Sequence, residues 1–412
     1  MGTLVRYELK KIFNKKMNIV VIISCLFLII LLFSLSGTDF LATDENGESY
    51  KGKDAIILRK KQINEISGIL TNEKIFDEIK RLQELNNNTD NIVINSYGEK
   101  DFSREIYNKY LNNRLNLLTN INHVYGDNYI NGLFTLDLEN QKDFYESREK
   151  RIEELIVSSQ DYKGRSYTEK EKEYWIEKSK SVNIPFEYDF YFGYSNLYST
   201  YEMLIIGLIA ICICIASVFS GEYQNGTDKI LLTTKYGKSK GATAKIIASY
   251  IFSSLVFAIY LIFAIFAVLL VFGTDGGNLP IQLLNILSPY NLTFAQSLIY
   301  NIFISYAVLF GIVGLTLFLS SKIKNPISTL VIDLCIIMLP VFLSVKSGFG
   351  IINKILFLMP YNAIYSNFTK MISYKIGSII FDLPTMTIFS YIFIMIITLI
   401  LAKRIYAKHQ VE

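Results

Sequence analysis

Residues 215–246 read ASVFSGEYQNGTDKILLTTKYGKSKGATAKII, and two long apolar runs, 203–220 and 247–272, flank them. Thr227 can cap a helix, and Asp228 suits its first turn. Ile230, Leu231 and Leu232 give it an apolar face, Lys235 suits the last turn, and Gly237 fits the position just past the end. The spacing predicts a stiff amphipathic helix over 227–236. It is too short to be stable alone, so it needs a partner groove.

Working outward, the apolar half of the chain is gathered into runs of membrane-span length, about 17–26 residues each. Six spans are predicted: 18–35, 203–220, 247–272, 297–320, 327–345 and 385–402. The first is too long for a cleaved signal peptide, and Ser34-Leu35-Ser36-Gly37 is a weak cleavage site.

Lys and Arg near span ends set orientation. Arg6, Lys10, Lys11, Lys15 and Lys16 precede the first span, against Glu8. Lys229, Lys235, Lys238, Lys240 and Lys245 follow the second, Lys322 and Lys324 the fourth, and Lys403, Arg404 and Lys408 the sixth. With six spans all four groups share one side. Both termini are then cytoplasmic and residues 37–198 face outside. Between Asp39 and Asp189 there are 22 Lys+Arg and 29 Asp+Glu, a net of −7 in a chain of +4, which leaves +11 for the remainder. That asymmetry argues against nucleic acid as a partner; membrane lipid is the expected one.

Ahead of the first span, Val5, Leu9, Ile12 and Phe13 fall on one helical face and cations crowd the other. This predicts an amphipathic helix lying on the membrane surface. The domain plan is thus 1–17 interfacial helix, 18–35 first span, 36–200 outer domain, and 201–412 a five-span unit. That unit holds the cytoplasmic loop 221–246 and an outer segment 346–384, which dips into the membrane as two half-helices broken at Pro360.

The outer block reads as helical. Ile56, Ile63, Ile66, Leu70 and then Phe76, Ile79, Leu82, Leu85 recur at helical steps, helices fit 101–119 and 140–158, and Ser166 with Glu169 resembles a capping box. About 160 residues can bury a core, so the block is expected to fold independently. Eight aromatics between Phe186 and Tyr201 form either an interfacial anchor or a wall that touches substrate. The fold class is an all-α polytopic membrane protein: six transmembrane helices plus a mostly α-helical extracytoplasmic domain.

Enzyme signatures do not hold up. Tyr236-Gly237-Lys238-Ser239 lacks the Gly that a phosphate loop needs five residues earlier, since position 232 is Leu. The histidines are His123 and His409, with no zinc or triad motif. The four cysteines, Cys25, Cys212, Cys214 and Cys335, all lie in spans, so no outer disulfide is expected. No catalytic residue, metal site or cofactor is predicted. Asp333 is the one carboxylate well inside a span, at a cost of roughly 2.5–3.5 kcal/mol. Either it hydrogen-bonds internally, to Tyr306 or Ser305, or it lies on a substrate or ion pathway.

Phe219-Ser-Gly-Glu222-Tyr-Gln-Asn-Gly226-Thr227, then Ile230-Leu231-Leu232, Tyr236-Gly237-Lys238 and Ala244-Lys245, resembles the type-2 ATP-binding-cassette (ABC) exporter permeases. In that family an acidic residue after the second span precedes a Gly-Thr and a coupling helix, and a Lys begins the third span. The long first outer loop resembles the branch with a large extracytoplasmic domain. The resemblance implies ATPase coupling through Glu222, Gly226, Thr227, Ile230, Leu231, Tyr236 and Lys238. It implies two copies of a separate ATPase subunit, a second permease subunit, same or homologous, and a bacterial cell membrane. It further implies outward transport of a peptide, drug or lipid-like substrate. A sodium-efflux permease of the same family, or a ligand-sensing subunit signalling through a partner, are the alternatives.

Overall fold

The computed structural model describes residues 1–96, 98–126, 130–161, 163–234, 237–343, 348–366 and 368–408. Helices dominate. α1 (Gly2–Phe13) and α2 (Lys16–Thr38) open the chain. α3 (Lys53–Asn64), α4 (Asn72–Asn87), α5 (Asn112–Tyr125), α6 (Phe144–Ser158) and α7 (Glu169–Lys180) build the inserted block. α8 (Phe192–Gln224), the short α9 (Asp228–Thr233), α10 (Gly237–Phe272), α11 (Phe294–Lys322), α12 (Pro326–Phe342), α13 (Ile351–Phe357), α14 (Pro360–Ala363) and α15 (Leu383–Lys408) follow.

Five of these, α2, α8, α10, α11 and α15, are long and apolar enough to cross a membrane. The fifth of the six predicted spans is shorter than expected. α12 ends at Phe342 after 17 residues, about 26 Å at 1.5 Å per residue. The chain that flanks it is held at opposite ends of the bundle. Ser321, just before it, accepts from Tyr223 at the end of α8. Phe349, beyond it, packs 4.7 Å from Tyr167 of the inserted block.

Small residues let the helices close up, as expected where lipid offers no hydrophobic drive between them. A Cβ on Gly311 of α11 would meet Tyr391 of α15 at 2.5 Å, and one on Gly314 would run into Thr398. Gly207 of α8 likewise faces Tyr260 of α10.

The inserted block is helical, with three additions that helical spacing could not show. Short antiparallel pairs form between β1 (Leu41–Thr43) and β2 (Ser49–Lys51), and between β4 (Ile92–Ile94) and β5 (Lys100–Phe102). A third joins β3 (Gly68–Ile69) to β6 (Glu187–Tyr188) across the block. A fourth pair, the hairpin of β7 (Ser373–Ile376) with β8 (Ile379–Asp382), precedes α15. The capping box uses Thr168 and Glu171 rather than Ser166 and Glu169, because α7 starts two residues later than the pattern suggests.

Seven of the eight aromatics from Phe186 to Tyr201 are buried, so the run is core rather than a surface anchor or wall. Tyr191 and Tyr198 pack on Phe294 of α11, and Tyr198 and Tyr201 on Tyr365. One continuous core therefore runs from Ile12 through the block to Tyr406. Polar groups repeat that union. Buried Arg148 donates to the Ile286 and Ser288 carbonyls at 2.6 and 2.8 Å. Lys178 pairs with Asp382, and the Ser373 hydroxyl donates to Glu171 at 2.8 Å.

Burial alone would raise the Glu171 carboxyl, but the N–H and hydroxyl of Thr168, the Ser373 hydroxyl and Lys354 outweigh it and hold it below its usual range. Its contribution is then full above the unfolded value, about 4.3, and is lost as pH falls through the lower folded value. We expect the unfolding midpoint of the wild type to drop as pH falls below about 4.3. Glu171→Gln should flatten that part of the profile, and an unchanged profile in the Gln variant would contradict this role.

Candidate coupling site

Four helix ends meet at the face opposite the inserted block. α8 carries Glu222 to its last turn and α10 brings Lys245. α1 lays Glu8 and Lys11 across them, and α15 ends over them with Tyr406. Glu222 is 3% exposed and Lys245 2% exposed. Glu222 Oε1 accepts from Lys245 Nζ at 2.5 Å and from Lys11 Nζ at 2.9 Å, and Oε2 accepts from the Tyr406 hydroxyl at 2.9 Å. Lys245 also donates to Glu8 at 2.9 Å. Two carboxylates and two ammonium groups sum to zero, so burial is tolerable as long as the set is complete. Burial would lower the Lys11 ammonium, but Glu222 outweighs that and holds it above its usual range.

A second set of bonds fixes the turn from α1 into α2. Asn18 donates to the carbonyls of Ile12 and Cys214 at 2.9 and 3.3 Å, and Lys15 donates to Ser217 at 2.9 Å. α1 thus seats its apolar face on the bundle. Ile12 is buried, and Val5, Leu9 and Phe13 pack against the core.

The chain leaves α8 through Gly226, whose φ of +67° is one that L side chains rarely adopt. α9 follows and is shorter than predicted, ending at Thr233 before Lys235. Thr227 precedes it, but its hydroxyl turns back to the Glu222 carbonyl at 3.5 Å and does not cap. The reason is local: Thr227 has helical dihedrals, so its hydroxyl does not face the first N–H groups. Ile230 is 71% exposed. Leu231, half-buried, lines with Ile230 a cleft of about 710 Å³ that Lys11, Asn14, Lys15 and Asn225 also line. Lys238 is exposed in the turn that opens α10. Tyr236 lies outside the described residues, as does Lys235.

The family model described as "ABC-2 family transporter protein" matches residues 3–403. The chain belongs to that family. It is therefore a membrane permease subunit of an ABC transporter, a kind of subunit that works with a separate ATPase. No curated protein and no solved structure matches it.

Among the candidate coupling residues of this ABC-2 permease, Glu222 sits in the charge cluster, Gly226 and Thr227 link it to α9, Ile230 and Leu231 lie on α9, and Lys238 stands beyond. Asp333 lies apart, on α12, 1% exposed. Its expected partners are engaged elsewhere: Ser305 with Ile302 and Tyr201, and Tyr306 with the Ser254 carbonyl. Among the described residues no cluster of His, Cys, Asp and Glu converges as a metal site.

Tyr406 is absent from the sequence reading, Glu8 and Lys11 enter it only as charges that set orientation, and Lys245 enters it so and by resemblance. One signal was present. A lysine beside a long apolar run is costly unless it is paired, so Lys245 called for a carboxylate.

Glu222→Ala would orphan the Tyr406 hydroxyl and leave buried Lys245 with Glu8 alone, a loss of about 3–5 kcal/mol. Tyr406→Phe removes one bond to a charged group, about 1.5–3 kcal/mol. In detergent, Glu222→Ala should fail to accumulate or unfold at a much lower temperature, while Tyr406→Phe shows a smaller drop. Equal, near-wild-type midpoints would contradict the cluster.

Proposed function

We propose that this ABC-2 permease is the membrane half of an exporter, and that α9 is the helix through which its ATPase acts. The observation that carries this is Ile230, a large apolar side chain left 71% exposed on a six-residue helix tethered to the charge cluster. Such a helix gains little from its own backbone and is completed by a groove on another subunit. The exposed Lys229, Lys238 and Lys240 stand around it, and with the cations of α1 they make this face cytoplasmic by the positive-inside rule.

The rest of the proposal follows from that orientation. α12 is a sixth crossing, both termini are cytoplasmic, and the block over 36–200 lies outside the bacterial cell membrane. The segment over 346–384 dips back toward the bundle. Two such permeases, identical or homologous, pair with two ATPase subunits. Closure of the ATPase pair pushes α9, and the charge cluster passes the push to α1, α8, α10 and α15 together. A peptide, drug or lipid-like substrate moves outward. Asp333 supports a second reading, efflux of sodium, because its carboxylate lies in the middle of the bundle without a cationic partner among the described residues.

Ile230→Asp and Leu231→Asp test the first point, since neither belongs to the charge cluster. Both variants should accumulate normally with the ATPase bound weakly or not at all. Substrate-stimulated ATP hydrolysis should fall at least tenfold, about 1.4 kcal/mol. Full stimulation in both would sink the assignment. Asp333→Asn tests the pathway. We expect normal assembly and at least tenfold weaker transport in cells, whereas wild-type transport would reduce Asp333 to a structural group.

A further inference from the structure

Where α8, α11 and α12 pack together, small polar side chains form a seam in an otherwise apolar bundle. α12 buries only one face, Thr329, Asp333, Ile337 and Pro340. Asn325, which caps it, Thr329 and Asp333 follow at one-turn intervals, so Asp333 lies about 12 Å beyond Asn325. α8 and α11 offer Cys212 with Ser220, and Thr316 with Ser320.

Every polar group of that seam but one is engaged by the protein itself. Ser320 donates to the Ala216 carbonyl at 2.6 Å and accepts from the N–H groups of Phe219 and Ser220. Ser220 donates to the same carbonyl at 2.7 Å. The Thr316 hydroxyl donates to Cys212 Sγ at 3.6 Å, and Thr329 to the Asn325 carbonyl at 3.3 Å. The exception is Asp333. Its side chain is buried, and among the described residues neither carboxylate oxygen has a hydrogen-bond partner of ordinary geometry, with the Thr316 hydroxyl as the one donor that interacts with it.

An ionised carboxylate in that position would lose its hydration with one hydroxyl and no counter-charge in return, several kcal/mol in a real protein. The usual response of such a group is to take up a proton rather than to stay charged. The groups facing it do not supply a counter-charge. From α8 the titratable neighbour is the Cys212 thiol, and from α11 the neighbour is the Thr316 hydroxyl. On α12 itself Cys335 lies on the exposed side of the helix.

We infer that Asp333 is a proton-binding site at the centre of the permease. In the conformation described it is the neutral acid. It releases its proton when rocking of the spans opens the seam to water. The Oδ–H bond breaks, the proton leaves to water, and the electron pair stays on the carboxylate, so no oxidant or co-reactant is needed. The transport cycle then includes a protonation step in addition to ATP hydrolysis. This rests on the permease proposal above in taking α12 as a membrane crossing and in taking the spans to move during the transport cycle.

The test uses the complete transporter in native membrane vesicles. Dicyclohexylcarbodiimide, which adds to protonated carboxyls buried in apolar surroundings, should label Asp333 in peptide mass spectra, and the yield should fall as buffer pH is raised. Infrared spectra should also show a protonated-carboxyl C=O band that Asp333→Asn removes. A lost band without an adduct still supports the proposal, because it means a protonated carboxyl sealed from the reagent. Neither adduct nor lost band overturns it. Co-purification of the ATPase from the same vesicles separates that failure from failure of the permease proposal.

Discussion

The structure depends on one buried charge set. Glu222 cannot be buried without Lys245, Lys245 is neutralised jointly by Glu222 and Glu8, and Tyr406 takes the remaining carboxylate oxygen. In the membrane-facing part of a bundle, helices gain little from apolar packing against one another that lipid could not also supply. A complete charge set is different, because removing any member leaves the others buried and uncompensated. That asymmetry ties α1, α8, α10 and α15 at one face and sets the starting angle of the loop that carries α9.

The opposite end of α15 is tied just as deliberately. Asp382 accepts from the Thr385 N–H at 3.1 Å, which caps the helix, and it also pairs with Lys178 of the inserted block. α15 has 26 residues, about 39 Å of rigid rod, pinned to the block at one end and to Glu222 at the other. Gly311 and Gly314 hold α11 against it along the way. A displacement at α9 therefore has a mechanical route to the block, through one helix rather than through a chain of loops.

The long apolar runs were legible in the sequence because hydropathy needs only local information. So was α1, whose four apolar residues share a helical face. Glu222 was legible by resemblance, yet its setting was not. Lys11 is 211 residues away and Tyr406 is 184 away, and neither carries a pattern that names its partner. The same limit explains the inserted block. Its helices follow from spacing, while the β3–β6 pair depends on chain segments more than a hundred residues apart meeting edge to edge. The aromatic run looked like a membrane boundary because Tyr and Phe favour such positions. Here the rings bury against Phe294 and Tyr365 instead, which only the tertiary packing decides. At Thr227, backbone dihedrals overrode a residue type suited to capping.

A double-mutant cycle between Glu222 and Lys245 tests the charge set most directly. Glu222→Gln, Lys245→Met and the double variant are compared by reversible unfolding in detergent with the ATPase absent. If the pair is the buried fulcrum of the membrane part, each single change is costly and the double recovers part of the loss, with a coupling of roughly 1–3 kcal/mol. Additive losses, with coupling within about 0.3 kcal/mol of zero, would contradict it.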